Sequence, residues 1–524
     1  MAAMRLGPVP GPITLDSYDS QFHAYFSGLG SYGNVTSGLT VIEPGGFALK
    51  RRLDNFRRAI GGRIAQNLDQ PAEGIARALI IGDQSGISDE VRERMATAGL
   101  AHVLAISGLH LTMVAGGLFA AVRMLLALST RLAGRVPVKA VAAGAGILTA
   151  VAYMLVSGMS IPSIRATIML GLVFGAVLAG RQALTMRNVA IAALVILITD
   201  PSSLFAAGFQ LSFAAVAGLI GVYELTRAKS AERPTILRRA FGFFGAIAMT
   251  SFIAGGATLL FAAYHFQQTA PFGVIGNVLA LPLVGFVIMP AGFVGTLLMP
   301  LGFEYPFFAA MGWGIERMLE IATIVSAMST RFETHPLLDS LALIVGMGAI
   351  AWFVFLRDVW RFAGPVVAVP VILIFAVADR PNILAADTTQ AVAVRHDAGL
   401  VLMLGRVGTF AVDAWSDTYG EPIMPDGGIS RCDPFGCFAD LPGRYAISIV
   451  TNPRAFIEDC PLADLVITKL DAPPDCARHA QIIDATDFRL GGVHSARWDP
   501  SARHFTIRAA IPDPHRPWRP YRTR

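Results

Sequence analysis

The run AHVLAISGLHLTMVAGGLFAAVRMLLAL, residues 101–128, sets two histidines, a serine and a glycine pair into the first half of an apolar stretch long enough to cross a bilayer. A spanning helix takes about 20 apolar residues, and an ionisable group inside it costs about 2 kcal/mol or more unless water or a partner receives it. His102, Ser107 and His110, with Gly108 between them, are therefore the first functional candidates. The alternative places His102 at the interface and lets His110 bond a neighbouring helix. Arg165, Gln210, Ser212, His265 and Asn277 also fall inside or beside apolar runs. Such groups can line a wet path for a polyanion, whose charges would otherwise meet the full cost of dehydration. Arg165 has two readings, a snorkelling interface arginine or a phosphate contact. Gln210 and Ser212 can equally bond adjacent helices, and Asn277, ahead of Pro282, can cap a broken one.

The elements that position these groups are apolar helices. Of the 524 residues, 54% are hydrophobic and only 15% charged, which excludes an ordinary soluble protein. Residues 240–303 contain no Asp, Glu, Lys or Arg, whereas residues 385–524 hold 15 basic and 17 acidic ones, separating a membrane core from a soluble tail domain. Spans are expected over 102–128, 138–158, 163–180, 187–199, 203–225, 240–263, 271–302, 337–356 and 363–379, and 305–329 either crosses or lies flat. The fold class is mainly α: a polytopic transmembrane bundle of about 9–11 spans followed by a soluble domain. The short span at 187–199 and the long, Pro-interrupted one at 271–302 read as broken helices that line cavities. Residues 48–101 pattern as amphipathic helices on the membrane surface, apolar at three-to-four spacing against a basic face.

Alternate loops differ sharply in charge. Segments 129–139, 181–187, 226–239 and 357–361 hold 12 Lys and Arg residues, and the opposite set holds only Arg331. The positive-inside bias makes the first set cytoplasmic, so residues 1–100 are external and the last span returns the C-terminal domain to that side. The net charge of +5 needs no acidic partner, since these loops account for much of it.

All four cysteines, Cys432, Cys437, Cys460 and Cys476, lie in the region 385–507. An even set confined to one soluble region suits two disulfides in an oxidising compartment, with the pairing left open; the alternative zinc site lacks paired-knuckle spacing. The same region alternates like strands in AVAVRHDAGLVLMLG, TFAVDAW, YAISIV and ADLVITKL, with turns at Asp426-Gly427 and Pro442-Gly443, and reads as α/β or mostly β. The last stretch, residues 508–524, is a basic, Pro-rich tail. Its Arg516, Trp518, Arg519, Tyr521, Arg522 and Arg524 either stack on single-stranded bases or form a disordered end. GLGSYG at 28–33 formally fits G-x-G-x-x-G, but no strand precedes it and no helix start follows, and no phosphate-binding G-x-x-x-x-G-K-[ST] occurs. No cofactor and no metal is expected.

The string HVLAISGLHLTMVAGG resembles the signature of the ComEC-type competence family of polytopic DNA channels. Its flank ALIIGDQSGISDEVRERMATAGLA agrees, as do SIPSIRATIM, DPSSLFAAGFQLSFAAVAGL and GNVLALPLVGFVIMP in family order, covering roughly residues 72–300. No cleavable signal is visible in the polar first 45 residues. The opening segment resembles the end of the OB-like external domain that precedes the channel, so residues 1–47 are expected to be a remnant of it in a shortened chain.

The resemblance implies a channel that passes one DNA strand across the bacterial cytoplasmic membrane during natural transformation. Its implied partners are single-stranded DNA, membrane lipid, a DNA-delivery protein outside, a cytoplasmic DNA motor or helicase, and further copies of itself in a homo-oligomer. The family's C-terminal domain is often metallo-β-lactamase-like, but His396, His479, His494, His504 and His515 stand singly and no H-x-H-x-D-H run exists. That domain is therefore expected to be degenerate, and the chain not an enzyme. The rivals are a membrane-anchored nuclease and a transporter of a small anion or lipid precursor.

Overall fold

The computed structural model describes residues 3–15, 17–38, 48–181, 185–226, 236–332, 334–356, 358–387, 391–396, 399–441 and 445–519. The turn expected at Pro442-Gly443 and the tail residues Tyr521, Arg522 and Arg524 lie outside them.

The N-terminal region is a strand pair, β1 (Met4–Gly7) with β2 (Tyr32–Val35), antiparallel, with α1 (Ser20–Phe26) between. Four helices follow: α2 (Ala48–Asn67), α3 (Ala72–Ile81), α4 (Asp89–Thr97) and α5 (Ala101–Leu104). Ser88 caps α4 by accepting from Val91 N, and Asp89 and Glu90 favour its positive end. Then come α6 (Gly108–Ala127), the short α7 (Thr130–Arg135), α8 (Val138–Val156), α9 (Ile161–Leu178), α10 (Met186–Thr199), α11 (Ala207–Thr226) and α12 (Ile236–Phe266). The series closes with α13 (Gly273–Leu283), α14 (Met289–Leu298), α15 (Tyr305–Ser329), α16 (Ser340–Phe355) and α17 (Ala363–Phe375).

Among the described residues seven helices are long and apolar enough to cross a membrane by length and composition, and α10 and α16 are shorter apolar ones. Their outward faces carry bare apolar side chains such as Leu128, Ile198, Phe252 and Phe355, as contact with lipid requires.

Three segments differ from expectation. The run 102–128 is not one helix: Ala105 and Ser107 are extended, so α5 stops at Leu104 and the span starts at Gly108. Residues 271–302 are not broken: Pro282 lacks the N–H for its place in the ladder, and the helix widens into a π turn, Val284–Ile288, and continues into α14. The helices expected to lie on a membrane surface instead supply much of the protein's core. Ile75 and Leu79 of α3 and Met95 of α4 are fully buried against Ile288, Phe308, Met311, Ile315 and Met318, because α3 is apolar except for Glu73 and Arg77, which share one side and pair with each other (2.9 Å). Helix α2 keeps an amphipathic character, burying Ile60 and Ile64 beneath an exposed basic side. The segment 305–329 forms α15, whose Arg317–Glu320 pair (2.7 Å) stays on its wetter face.

A second core joins α6, α8 and α9 through Ala115, Ala143, Ala150 and Ala166, small side chains that let helices approach closely. In α13 the same economy is absolute: a Cβ on Gly276 would stand 2.4 Å from the carbonyl oxygen of Ala98.

The C-terminal domain is an α/β sandwich. A six-stranded sheet has the order β13 (His504–Ala509), β12 (His494–Asp499), β3 (Ile383–Ala385), β4 (Val392–His396), β5 (Gly399–Leu404), β6 (Met424–Pro425). A five-stranded sheet has the order β11 (Gln481–Ile483), β10 (Leu465–Thr468), β9 (Tyr445–Val450), β8 (Gly436–Leu441), β7 (Arg431–Cys432). Ile383, Val394 and Met403 of the first meet Ile447, Ile449 and Leu465 of the second, the alternate residues of each strand facing inward. Helix α18 (Phe410–Tyr419) covers the outer face of one sheet with buried Trp415, and α19 (Phe456–Leu462) covers the other with Phe456, while α20 (Ala485–Gly491) precedes β12.

The chain's two ends meet across this domain. Trp415 Nε1 donates to Ile13 O (2.9 Å), and Arg519 grips both carboxylate oxygens of Asp19 (3.0 and 2.7 Å) and Gln21 Oε1 (2.7 Å). As far as residue 519, the tail is therefore docked rather than loose. The structure pairs Cys432 with Cys437 and Cys460 with Cys476. Protein purified without reductant and unfolded in denaturant should show no reactive thiol, and four after reduction; four thiols before reduction would remove both crosslinks.

Candidate functional site

Ser107 and His110 meet at the break between α5 and α6. Ser107 N donates to His110 Nδ1 (3.1 Å), and the Ser107 hydroxyl lies 3.1 Å from the same nitrogen. The imidazole thus takes the place that a glutamate usually holds in a capping box. Because Nδ1 accepts, the ring proton sits on Nε2, and Nε2 is buried with no hydrogen-bond partner. His102 is exposed on α5, and the Leu104 carbonyl freed by the break accepts from Gln84 Nε2 (3.0 Å). Gly108 lies against Ala166 of α9.

Next to Ala166 on α9, Arg165 is buried, 6% exposed. No ion pair or hydrogen bond joins it to another described residue, and its Nε is enclosed without a partner. Its guanidinium lies flat against Gly208 at the start of α11, where an added Cβ would come within 2.7 Å of a guanidinium nitrogen. Asn277 on α13 is half-buried and its Oδ1 is also enclosed without a partner. Ser212 is half-buried on α11.

Two residues beyond Gly208, Gln210 turns towards a different space. Its amide donates to Leu204 O (3.0 Å), and its Oε1 stands 2.7 Å from His265 Nε2. The pair forms part of the wall of a cavity of about 420 Å³ where α11, α12, the N-terminal region and the C-terminal tail converge. Tyr18, Phe22, His23, Phe205 and Trp518 add rings to the wall, and Asp19, Asp513, Arg516 and Arg519 add charges of both signs. Tyr18 and His23 stack face to face (4.5 Å, 5°), and Phe22 sets its ring edge-on to Phe205 and Trp518. Burial pushes the His23 imidazole below its usual range against the opposing pull of Asp19 and Asp200, which keeps the stacked ring neutral near pH 7. Asp200 closes the α10–α11 corner by accepting from the Ser202 and Ser203 hydroxyls (2.5 and 2.6 Å). Although burial raises its carboxyl, these bonds outweigh that and hold it below the ordinary range.

A family model described as Competence protein matches residues 79–360, more than half of the chain. The chain belongs to the Competence protein family. It is 28% identical over 288 residues to ComE operon protein 3 of Bacillus subtilis (strain 168), a match covering 55% of this chain and 34% of that one. It is 29% identical over 299 residues to Competence protein ComA of Neisseria gonorrhoeae, covering 56% and 40%. A third relative, Uncharacterized protein YcaI of Escherichia coli (strain K12), is 30% identical over 227 residues, covering 42% and 28%. The chain thus spans two fifths or less of the length of the curated relatives it matches. No solved structure matches.

The residues singled out from the sequence of this Competence family member, from His102 to Asn277, all lie within the matched segment. The structure brings Ser107 to His110 and Gln210 to His265, and sets Arg165 beneath Gly208, between the two groups. The aromatic wall was not read from the sequence except for Trp518; the cluster Tyr18, Phe22, His23, Tyr25 and Phe26 in a polar segment is the signal that could have marked it. Among the described residues no group of three or more His, Cys, Asp or Glu could hold a metal.

The Arg165–Gly208 contact generates a test by double substitution. Gly208→Val should lower the thermal stability of the detergent-solubilised protein by about 1–3 kcal/mol through overpacking. Adding Arg165→Ala should recover part of that loss by vacating the shared space, whereas fully additive losses would mean the two sites do not share it.

Proposed function

We propose that this chain forms the membrane channel through which single-stranded DNA crosses the bacterial cytoplasmic membrane during natural transformation. The single observation that carries the reading furthest is Arg165, a guanidinium buried in an apolar bundle with no carboxylate in contact among the described residues. A charge so placed is tolerated where an anion or water can reach it, and a phosphate backbone is such an anion. His110, with a buried ring donor left over, and Asn277, with a buried acceptor left over, add neutral hydrogen-bonding capacity beside the same helices. Membership of the Competence family supports DNA as the cargo.

In this reading the basic loops face the cytoplasm, and the N-terminal region and the sandwich face outward, where a DNA-delivery protein would hand over the strand. A cytoplasmic motor or helicase would supply the work, and the channel itself would carry out no chemistry. Assembly into a homo-oligomer would be compatible with the bare apolar faces of the bundle.

Arg165→Met and His110→Ala should each lower transformation frequency at least a hundredfold while immunoblots show unchanged membrane levels, and Arg165→Lys should retain part of the activity. Wild-type frequencies in both of the first two variants, or undiminished uptake of labelled DNA in a deletion strain, would refute the channel. Nuclease activity in the purified chain would instead favour a membrane-anchored nuclease.

A further inference from the structure

Resting on that reading, we propose that the cavity between α1, the Phe205 corner and the docked tail is a stacking site for unpaired nucleobases, through which an incoming strand is held before it enters the bundle. The site is assembled from parts of the chain distant in sequence: Tyr18, Phe22 and His23 from the N-terminal region, Phe205 from the α10–α11 corner, and Arg516 and Trp518 from the tail.

Three observations specify the occupant. First, ring area is left uncovered: Tyr18 is 61% and Phe205 59% exposed although both border the cavity. A base has a π face whatever its identity, so such surfaces bind single strands with little sequence preference. Second, polar edges accompany the rings. The Gln210–His265 pair lies in the wall, and the Trp518 indole N–H is enclosed without a partner, whereas an acyl chain would find no use for either. Third, a cavity of about 420 Å³ has room for a nucleotide or two, and its ring faces can meet only a base that is not already stacked and paired in a duplex. Arg516, 5.7 Å from the Trp518 ring and paired with Asp513 at the rim, stands where a phosphate could compete for it.

Location adds a reason for the site to exist. Gln210 in this wall is two residues from Gly208, on which Arg165 lies, so the site and the buried guanidinium flank the same first turn of α11 on different faces. Arg519, locked to Asp19 and Gln21, fixes Trp518 against Phe22 and Phe26 and so holds one wall in place.

The test uses the full chain in lipid nanodiscs and a fluorescent twelve-residue oligothymidylate, read by anisotropy. Wild type should bind it, and a fully paired hairpin of equal length at least tenfold more weakly. Tyr18→Ala and Phe205→Ala should each weaken binding at least threefold, and together at least tenfold, while Trp518→Phe keeps most of it and Trp360→Ala, at an exposed aromatic elsewhere, changes nothing. Tyr18 and Phe205 are chosen because their exposed rings can be removed without opening a core. Wild-type affinity in the double variant, equal binding of the hairpin, no binding by wild type, or displacement of the oligonucleotide by added phosphatidylglycerol would each overturn the site. Transformation in the Arg165→Met strain separates the two ideas: if it fails there while the double variant binds normally, the channel stands and the stacking site falls.

Discussion

A guanidinium cannot rest in an apolar bundle without something to receive its charge, and the arrangement around Arg165 follows from that constraint. Arg361 shows the ordinary solution within the same protein. It too is buried, but it donates to the carbonyls of Gly221 and Phe353 and lies over the Phe353 ring. Arg165 has no such set of partners; it has a glycine surface that lets it lie close and an enclosed Nε. The same contrast separates satisfied polar groups, such as the Tyr153 hydroxyl on Leu79 O, from His110 Nε2 and Asn277 Oδ1. In a bundle where helices gain little from hydrophobic association, such groups are costly to keep.

The fold was legible to the extent that lipid imposes a pattern on sequence. Apolar length marked the helices from α6 onwards because backbone groups in a bilayer must be satisfied within the segment. Alternation likewise marked the strands of the sandwich, since each has one face on the inter-sheet core. What hydropathy could not convey was depth within protein. Helix α3 reads as amphipathic material beside α2, yet it lies inside the bundle, because apolar side chains look the same whether protein or lipid covers them. The break at Ser107 was masked by the apolar residues on either side; its cap uses an imidazole rather than a carboxylate, so the usual Ser-x-x-Glu pattern is absent.

The candidate site was legible residue by residue but not as an assembly. His110, Arg165, Gln210 and His265 stood out because polar groups in apolar runs are conspicuous. Their grouping depends on contacts between helices, such as that of the Arg165 side chain with Gly208, that no spacing in the sequence encodes. The aromatic wall was harder still, since it joins residues about 500 positions apart through the Asp19–Arg519 contact.

That contact also has a consequence for parity. A thread whose two ends are tied together on one side of a sheet must have pierced the sheet an even number of times. With Asp19 bonded to Arg519, the apolar helices α6, α8, α9, α10, α11, α12, the joined α13–α14, α16 and α17 would make an odd set if each crossed once, and an even number of passages would then call for one more, such as α15 with its Glu316, Arg317 and Glu320.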